Sequence, residues 1–325
     1  MIGEASMSMS ADRAVRVGTR TSRLARVQTD MFLSLVSARA QQIRCDVVGV
    51  TTAGDRDRVA RIPDLGQGAF VKELEGALLG HEIDLAVHSL KDLPTQQPPG
   101  LVLAAVMPRS DPRDVLVSQG NRSLEELPPK SRVGTGSPRR AAQVLAVRPD
   151  LRIVPLRGNV DTRIEKVLKR DEVDAVVLAG AGLLRLGMDS VITEFLPPEI
   201  MMPAVGQGFI AIECREDDPL ALALARSVQD PDARATADAE RAFLAAVGGV
   251  CRTPVGAYAT IDAKQLVVDA MIATSDGQRI LRESVSSPRE VSPNTVASHL
   301  RDALYGRGGD IIIAREEPLS GTAEE

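Results

Sequence analysis

The chain has 325 residues, 44% of them hydrophobic, with a net charge of −5, no Trp, two Tyr and five Phe. That length favours two or three domains of on the order of 100–150 residues each. The acidic balance and the scarcity of aromatic side chains argue against nucleic acid as a partner, because phosphate binding needs surplus Lys and Arg and single strands need stacking platforms. No run of about 18 apolar residues suggests a membrane span, and the first dozen residues lack the apolar core of a secretion signal. Cys45, Cys214 and Cys251 have neither a disulfide-framework nor a zinc-type spacing, and His81, His88 and His299 show no metal-like spacing. A cytoplasmic protein without a metal is expected, with nothing that demands more than a monomer.

In chain order, Val15-Arg16-Val17-Gly18-Thr19-Arg20 predicts a short strand, and Thr21 or Ser22 offers an N-cap for a helix from Leu24 to Arg39. The stretch from Gly54 to Gly68 is a charged, glycine-bounded loop, either a lid over a site or plain surface. Glu82-Ile83-Asp84-Leu85-Ala86-Val87 then predicts a buried strand running into His88-Ser89-Leu90-Lys91-Asp92-Leu93-Pro94. Carboxyl ends of strands in open α/β sheets face the ligand crevice, which would put Asp92 at a cleft. Solvated charges at a strand end are the alternative.

The plan repeats. Ser131-Arg132-Val133-Gly134-Thr135 echoes the first strand, with Ser137 as N-cap and Pro138 opening the next helix, and Glu172-Val173-Asp174-Ala175-Val176-Val177 echoes the later one. Between them Arg152-Ile153-Val154-Pro155-Leu156 predicts a strand and Thr162 to Arg170 a helix. Two similar, largely parallel α/β lobes are expected. After Pro219 the pattern changes to an alanine-rich helix, Ala233 to Ala246, and alternating strands, with a hairpin joining Leu266–Ala273 to Gln278–Leu281 through Ser275-Asp276-Gly277. A third, smaller domain with an antiparallel sheet follows. Within it, Cys251 stands among glycines before Pro254, a setting that suits an exposed nucleophile or attachment point as well as a small core residue.

Arg20, Arg139, Arg140, Arg157 and Arg163 sit at turns or helix starts, where the helix macrodipole is already positive, so an anionic ligand should offset them. No glycine-rich phosphate motif accompanies them, which favours carboxylates over phosphates. A dicarboxylate-binding protein is one reading of such a cleft, and a Cys251–His88 hydrolase pair another. A carboxylate at Asp92 opposes simple anion binding, and no oxyanion or third-member signal supports the pair.

Several blocks together resemble the porphobilinogen deaminase (hydroxymethylbilane synthase) family: Val17-Gly18-Thr19-Arg20 with Ser22; Phe70-Val71-Lys72-Glu73-Leu74-Glu75; Ala86 to Pro94; Asp111-Pro112-Arg113-Asp114; Val133-Gly134-Thr135 with Arg139-Arg140; Leu156-Arg157-Gly158-Asn159-Val160 with Thr162-Arg163; Pro203-Ala204-Val205-Gly206-Gln207-Gly208; and Glu240-Arg241 leading to Gly248-Gly249-Val250-Cys251. The resemblance implies two periplasmic-binding-protein-like doubly wound lobes plus a small C-terminal α+β domain: 1–108 with 205–228, then 109–204, then 229–325. It implies a dipyrromethane cofactor joined to Cys251 by a thioether. It also implies stepwise deamination and coupling of four porphobilinogen units and hydrolytic release of the linear tetrapyrrole. By the same resemblance Asp92 is the catalytic group. Ser22, Ser89, Lys91, Arg139 and Arg140 are cofactor contacts, and Arg20, Arg157, Arg163 and Arg185 hold substrate carboxylates. Three departures stand out: Gln67 replaces a lid lysine, Leu184 the first member of a basic pair, and Val250 a small residue before the cysteine.

Overall fold

A computed structural model describes residues 14–40, 43–52, 71–248 and 253–316. The first sheet has the order β2-β1-β3-β10-β4, where β1 is Val15–Arg20, β2 Cys45–Val50, β3 Leu85–Ser89, β4 Leu101–Val106 and β10 Ile210–Arg215. The second has the order β7-β6-β8-β5-β9, with β5 at Asp114–Ser118, β6 at Arg132–Gly134, β7 at Arg152–Val154, β8 at Ala175–Ala179 and β9 at Glu194–Leu196. The two orders are equivalent position by position, so the expected pair of like lobes is present. The sheets are mixed rather than largely parallel: β1 runs parallel to β2 and β3, but β10 is antiparallel to both β3 and β4. In the second lobe β5 is likewise antiparallel to β8 and β9. The reason is connectivity. Each antiparallel strand is the first one laid down after the chain crosses between lobes, entering from the far side.

Both repeats are closed by the same clamp. Asp84 accepts from the backbone N and guanidinium of Arg16 at 2.8–3.1 Å, and Asp174 does so from Arg132 through its backbone N, Nε and Nη2. The strands start later than their apolar runs suggest, because the amides of Glu82 and Ile83 donate back to Ala77 O and that of Glu172 to Lys166 O. Residues that close the preceding helix are not free to join a ladder.

Helix starts follow their caps. Ser22 accepts from Ala25 N ahead of α1 (Arg23–Arg39), and α2 is Lys72–Leu79. Ser137 accepts from Arg140 N ahead of α3 (Pro138–Val147), with Pro138 in the first turn where its missing N–H costs nothing. The helix α4 is Val160–Leu168, two residues earlier than Thr162–Arg170, since Asn159 is already extended and stands at the cap. The short α5 is Gly180–Arg185.

The helices α6 (Pro219–Ser227) and α7 (Pro231–Ala246) are capped by Asp218 and Asp230. The third sheet is the antiparallel meander β11 (Val255–Asp262), β12 (Gln265–Ala273) and β13 (Ile280–Pro288), including the expected hairpin. It packs against α7, α8 (Pro293–Tyr305) and α9 (Gly309–Glu316) around Phe243, Val268, Ile272 and Leu300.

Candidate active site

A cleft of about 370 Å³ lies between the two lobes. The first lobe lines it with Arg20, Ser22, Gln28, Ser89, Lys91 and Asp92, and the second with Ser137, Arg139, Arg140, Arg157, Arg163 and Arg185. The crossing segment Ala204 to Phe209 contributes Gly206, Gln207 and Gly208. Every sequence-predicted site residue except Cys251 therefore meets in one cavity. Cys251, Gln67, Val250 and the loop from Gly54 to Gly68 lie outside the described residues. Leu184 is exposed and does not line the cleft.

Asp92 ends a single 3₁₀ turn, Leu90–Asp92, that follows β3 directly. The turn is pinned at both ends: Leu90 N donates to Phe209 O of the crossing segment, and Leu93 N to Leu90 O. Behind it Arg241, on α7 of the third domain, donates to the carbonyls of Leu93, Pro94 and Thr95 at 3.4, 2.8 and 3.1 Å. One helix of the C-terminal domain thus braces the loop that carries Asp92, a role that local sequence gave no reason to assign to Arg241.

On the second lobe, Arg139 and Arg140 converge on Asp114 at the start of β5. Arg140 Nε and Nη2 donate to Asp114 Oδ1 at 3.0 and 2.7 Å. Arg139 Nη1 donates to Met202 O and forms an ion pair with Asp114 Oδ2 at 2.8 Å. Burial alone would push the Asp114 carboxyl up, but the two guanidinium groups hold it well below the usual carboxylate range. The expectation that a ligand alone offsets these helix-start arginines is thereby corrected: the protein supplies one carboxylate of its own. That partner was invisible locally because β5 is brought to α3 only by the sheet order.

The remaining cations are crowded around the open cleft, Lys91 exposed and Arg20, Arg157, Arg163 and Arg185 half-buried. The depth of the cleft and then Arg140 push Lys91 down, against the pull of Asp92 and Asp114. Arg163 is pushed down to about 10 by burial, with Arg140 and Arg157 adding to the effect, and Arg185 to about 10 by burial. Arg163 Nε donates to Gly158 O and Arg185 Nη2 to Gly208 O, both at 2.7 Å, while Arg185 Nε is buried without a hydrogen-bond partner among the described residues. Cations destabilised in this way are relieved by an anion, and a ligand carrying several carboxylates fits. Ser89 Oγ and the Gln28 side-chain amide are hydrogen-bonded at 2.9 Å, and Ser22 Oγ is committed to its helix cap.

His88 is on β3 but away from the cleft, its Nε2 3.1 Å from Glu213 Oε2 on β10 in the sheet interior. This removes it as a base for a cysteine in the cleft. Cys214 is in the core of the first lobe, where burial pushes its thiol up to about 12. Cys45, on the edge strand β2, is raised by partial burial. Among the described residues there is no cluster of His, Cys, Asp and Glu able to hold a metal, and no helix is long and apolar enough to cross a membrane.

The chain is similar to known proteins over most of its length. The family model described as porphobilinogen deaminase, dipyromethane cofactor binding domain, matches residues 15–223, and the one described as porphobilinogen deaminase, C-terminal domain, matches residues 235–303. A porphobilinogen deaminase of Roseiflexus castenholzii is 45% identical over 302 residues, covering 93% of this chain and 99% of the relative. One from Brevibacillus brevis is 42% identical over 301 residues, covering 92% and 96%. Among solved structures, the substrate binding protein of an amino acid ABC transporter aligns with 66% of this chain and 91% of its own at 11% identity, with a TM-score of 0.38. With both halves of the family matched in order and at full length, the chain belongs to the porphobilinogen deaminase family.

Proposed function

We propose that the cleft joins porphobilinogen units head to tail with loss of ammonia, with Asp92 as the catalytic group and a dipyrromethane held covalently through Cys251. The observation that carries this reading is the composition of the cleft: Asp92 shares with Lys91 and seven arginines one cavity that the two lobes enclose. Each pyrrole unit carries an acetate and a propionate, so a growing chain accumulates the charge that Arg20, Arg157, Arg163 and Arg185 are placed to bind. Arg139 and Arg140, already tied to Asp114, form a rigid basic floor rather than mobile ligand clamps. When bound, the dipyrromethane supplies the terminal pyrrole to which the first unit is joined.

Asp92 does the work of charge and proton. Loss of ammonia from porphobilinogen leaves an electron-poor methylene-pyrrolenine, and a fixed carboxylate beside the pyrrole nitrogens stabilises that charge as it develops. The same carboxyl is positioned to pass a proton to the departing amine and to take one back after the carbon–carbon bond forms. A pure binding protein has no use for a carboxylate in an anion cleft, which favours the enzyme over the dicarboxylate-binding alternative. Cys214 is a packed core residue whose thiol is held protonated by burial, and the attachment is assigned to Cys251 by the family resemblance.

Intact-mass measurement of the purified protein tests the assignment. The expected result is an excess equal to one dipyrromethane, absent in Cys251→Ser. An unmodified wild type that turns over porphobilinogen would overturn the covalent cofactor, and an excess retained in Cys251→Ser would move its attachment elsewhere.

A further inference from the structure

The third domain lays one face of α7 against the back of the Asp92 turn. Ala233 and Ala237 pack with Leu90 and Leu93, which flank Lys91 and Asp92, in a core shared with Val106 and Phe209. Alanine at both places, four residues apart, lets the helix lie close. One turn farther along the same face stands Arg241, 8% exposed. Its guanidinium reaches past this core to the carbonyls of Leu93, Pro94 and Thr95, and to Gln97 Oε1 at 3.5 Å. Among the described residues no backbone N–H donates to any of those three carbonyls, and the stretch from Leu93 to Gly100 joins neither helix nor sheet. One side chain from another domain thus does the holding that a ladder or a helix does elsewhere.

We propose that Arg241 is a positioning residue of the reaction: by capturing three successive carbonyls just after the turn, it fixes where the Asp92 carboxylate stands in the cleft. The proposal rests on the role given above to Asp92. Before Asp92 the turn is hydrogen-bonded to the crossing segment, through Leu90 N and Phe209 O. After Asp92, the Leu93 N to Leu90 O bond lies within the turn itself, so the tie to the rest of the fold on that side is Arg241. A carboxylate that must stand beside the pyrrole nitrogens as charge develops tolerates little displacement, and an error of about 1 Å costs on the order of a hundredfold in rate. Arg241 does not line the cleft. Its influence therefore passes through the loop and falls on kcat rather than on KM, since the charge that Asp92 meets is present only in the transition state.

The test compares the wild-type holoenzyme with Arg241→Met, which keeps the apolar stem but has no donor, and Arg241→Lys, whose single ammonium cannot span three carbonyls. Each is made alone and together with Asp92→Asn, and kcat and KM for porphobilinogen are measured. Arg241→Met should lower kcat about ten- to a hundredfold with KM within about threefold, and Arg241→Lys should lose less. In the Asp92→Asn background neither substitution should lower turnover by more than about threefold further, because the group that Arg241 places is already gone. Backbone hydrogen exchange gives a second readout: the amides of Leu90 and Leu93 should exchange at least about tenfold faster in Arg241→Met, while those of β10 and α7 keep their wild-type protection. Unchanged kcat, a full loss that persists with Asp92→Asn, or protection lost over β10 and α7 alike overturns the proposal. Should Arg241→Met fail to fold, Arg241→Lys must show the same pattern in smaller degree or the proposal falls. Absence of porphobilinogen turnover in wild type would instead defeat the functional reading, and the exchange of Leu90 and Leu93 would still decide whether Arg241 holds the turn.

Discussion

The two lobes share a strand order and a basal Arg–Asp clamp, yet they bring opposite chemistry to the cleft. In the first, β3 ends in a pinned 3₁₀ turn that presents Lys91 and Asp92. In the second, the equivalent strand β8 runs straight into α5, which ends at Arg185. A duplicated scaffold thus becomes asymmetric through the few residues that follow its third strand. On the proposed reading, the first lobe offers a carboxylate for chemistry and the second a field of cations for holding the ligand. The comparison can be broken by showing that either lobe does the other's task.

The largest effect is expected at the carboxylate. Asp92→Asn keeps the volume of the side chain and a hydrogen-bonding oxygen but removes the charge and the proton-carrying group. Turnover should fall roughly 10²- to 10⁴-fold, with the fold intact by circular dichroism and substrate binding retained. Near-normal turnover would take Asp92 out of the mechanism and with it the division of labour between lobes.

A smaller and different loss is expected from the second lobe. Arg185→Met keeps most of the apolar stem that packs the site but loses the guanidinium. KM should rise about ten- to a hundredfold, the worth of a hydrogen bond to a charged group, while kcat changes much less. If kcat carried the loss and KM stayed, the cation would act in the transition state and the contrast between the lobes would fail.

How far the sequence foretold this arrangement depends on how local each feature is. The strand ending in Lys91-Asp92, the caps at Ser22 and Ser137, the terminal hairpin and the duplicated plan were all legible, because each rests on residues within one turn or one strand of each other. The offset strand starts were missed because Glu82, Ile83 and Glu172 look like strand residues by hydropathy pattern while their amides close the preceding helix. The antiparallel strands β5 and β10 were missed because crossing direction leaves no periodic signature. That same crossing hid Asp114 and Gln207: both sit beside the two passages between lobes, and what they touch is decided by sheet order rather than by spacing. A buried acid directly after a crossing, within the Asp111-Pro112-Arg113-Asp114 block, was the available signal for Asp114.

The smallest effect is expected where the lobes touch at the edge of the cleft. Arg23, in the first turn of α1, reaches Asp161 of α4 at 3.2 Å and Leu186 O at 3.3 Å, so it bridges from one lobe to the other. Both charged side chains are largely exposed, at 60% and 42%. Water and salt screen such a pair, and ordering two long side chains costs entropy, which leaves a net contribution of roughly 0.2–1 kcal/mol. A cycle of Arg23→Ala, Asp161→Ala and the double variant, read by denaturant midpoint, should return a coupling in that range that fades in high salt. Arg23→Ala should leave turnover within about fivefold of wild type, since that stability range corresponds to at most about a fivefold change in an equilibrium constant. A turnover loss approaching that of Asp92→Asn would mean that this exposed bridge sets how the lobes close. Catalysis would then depend on the contact between lobes as much as on the different ends of β3 and β8.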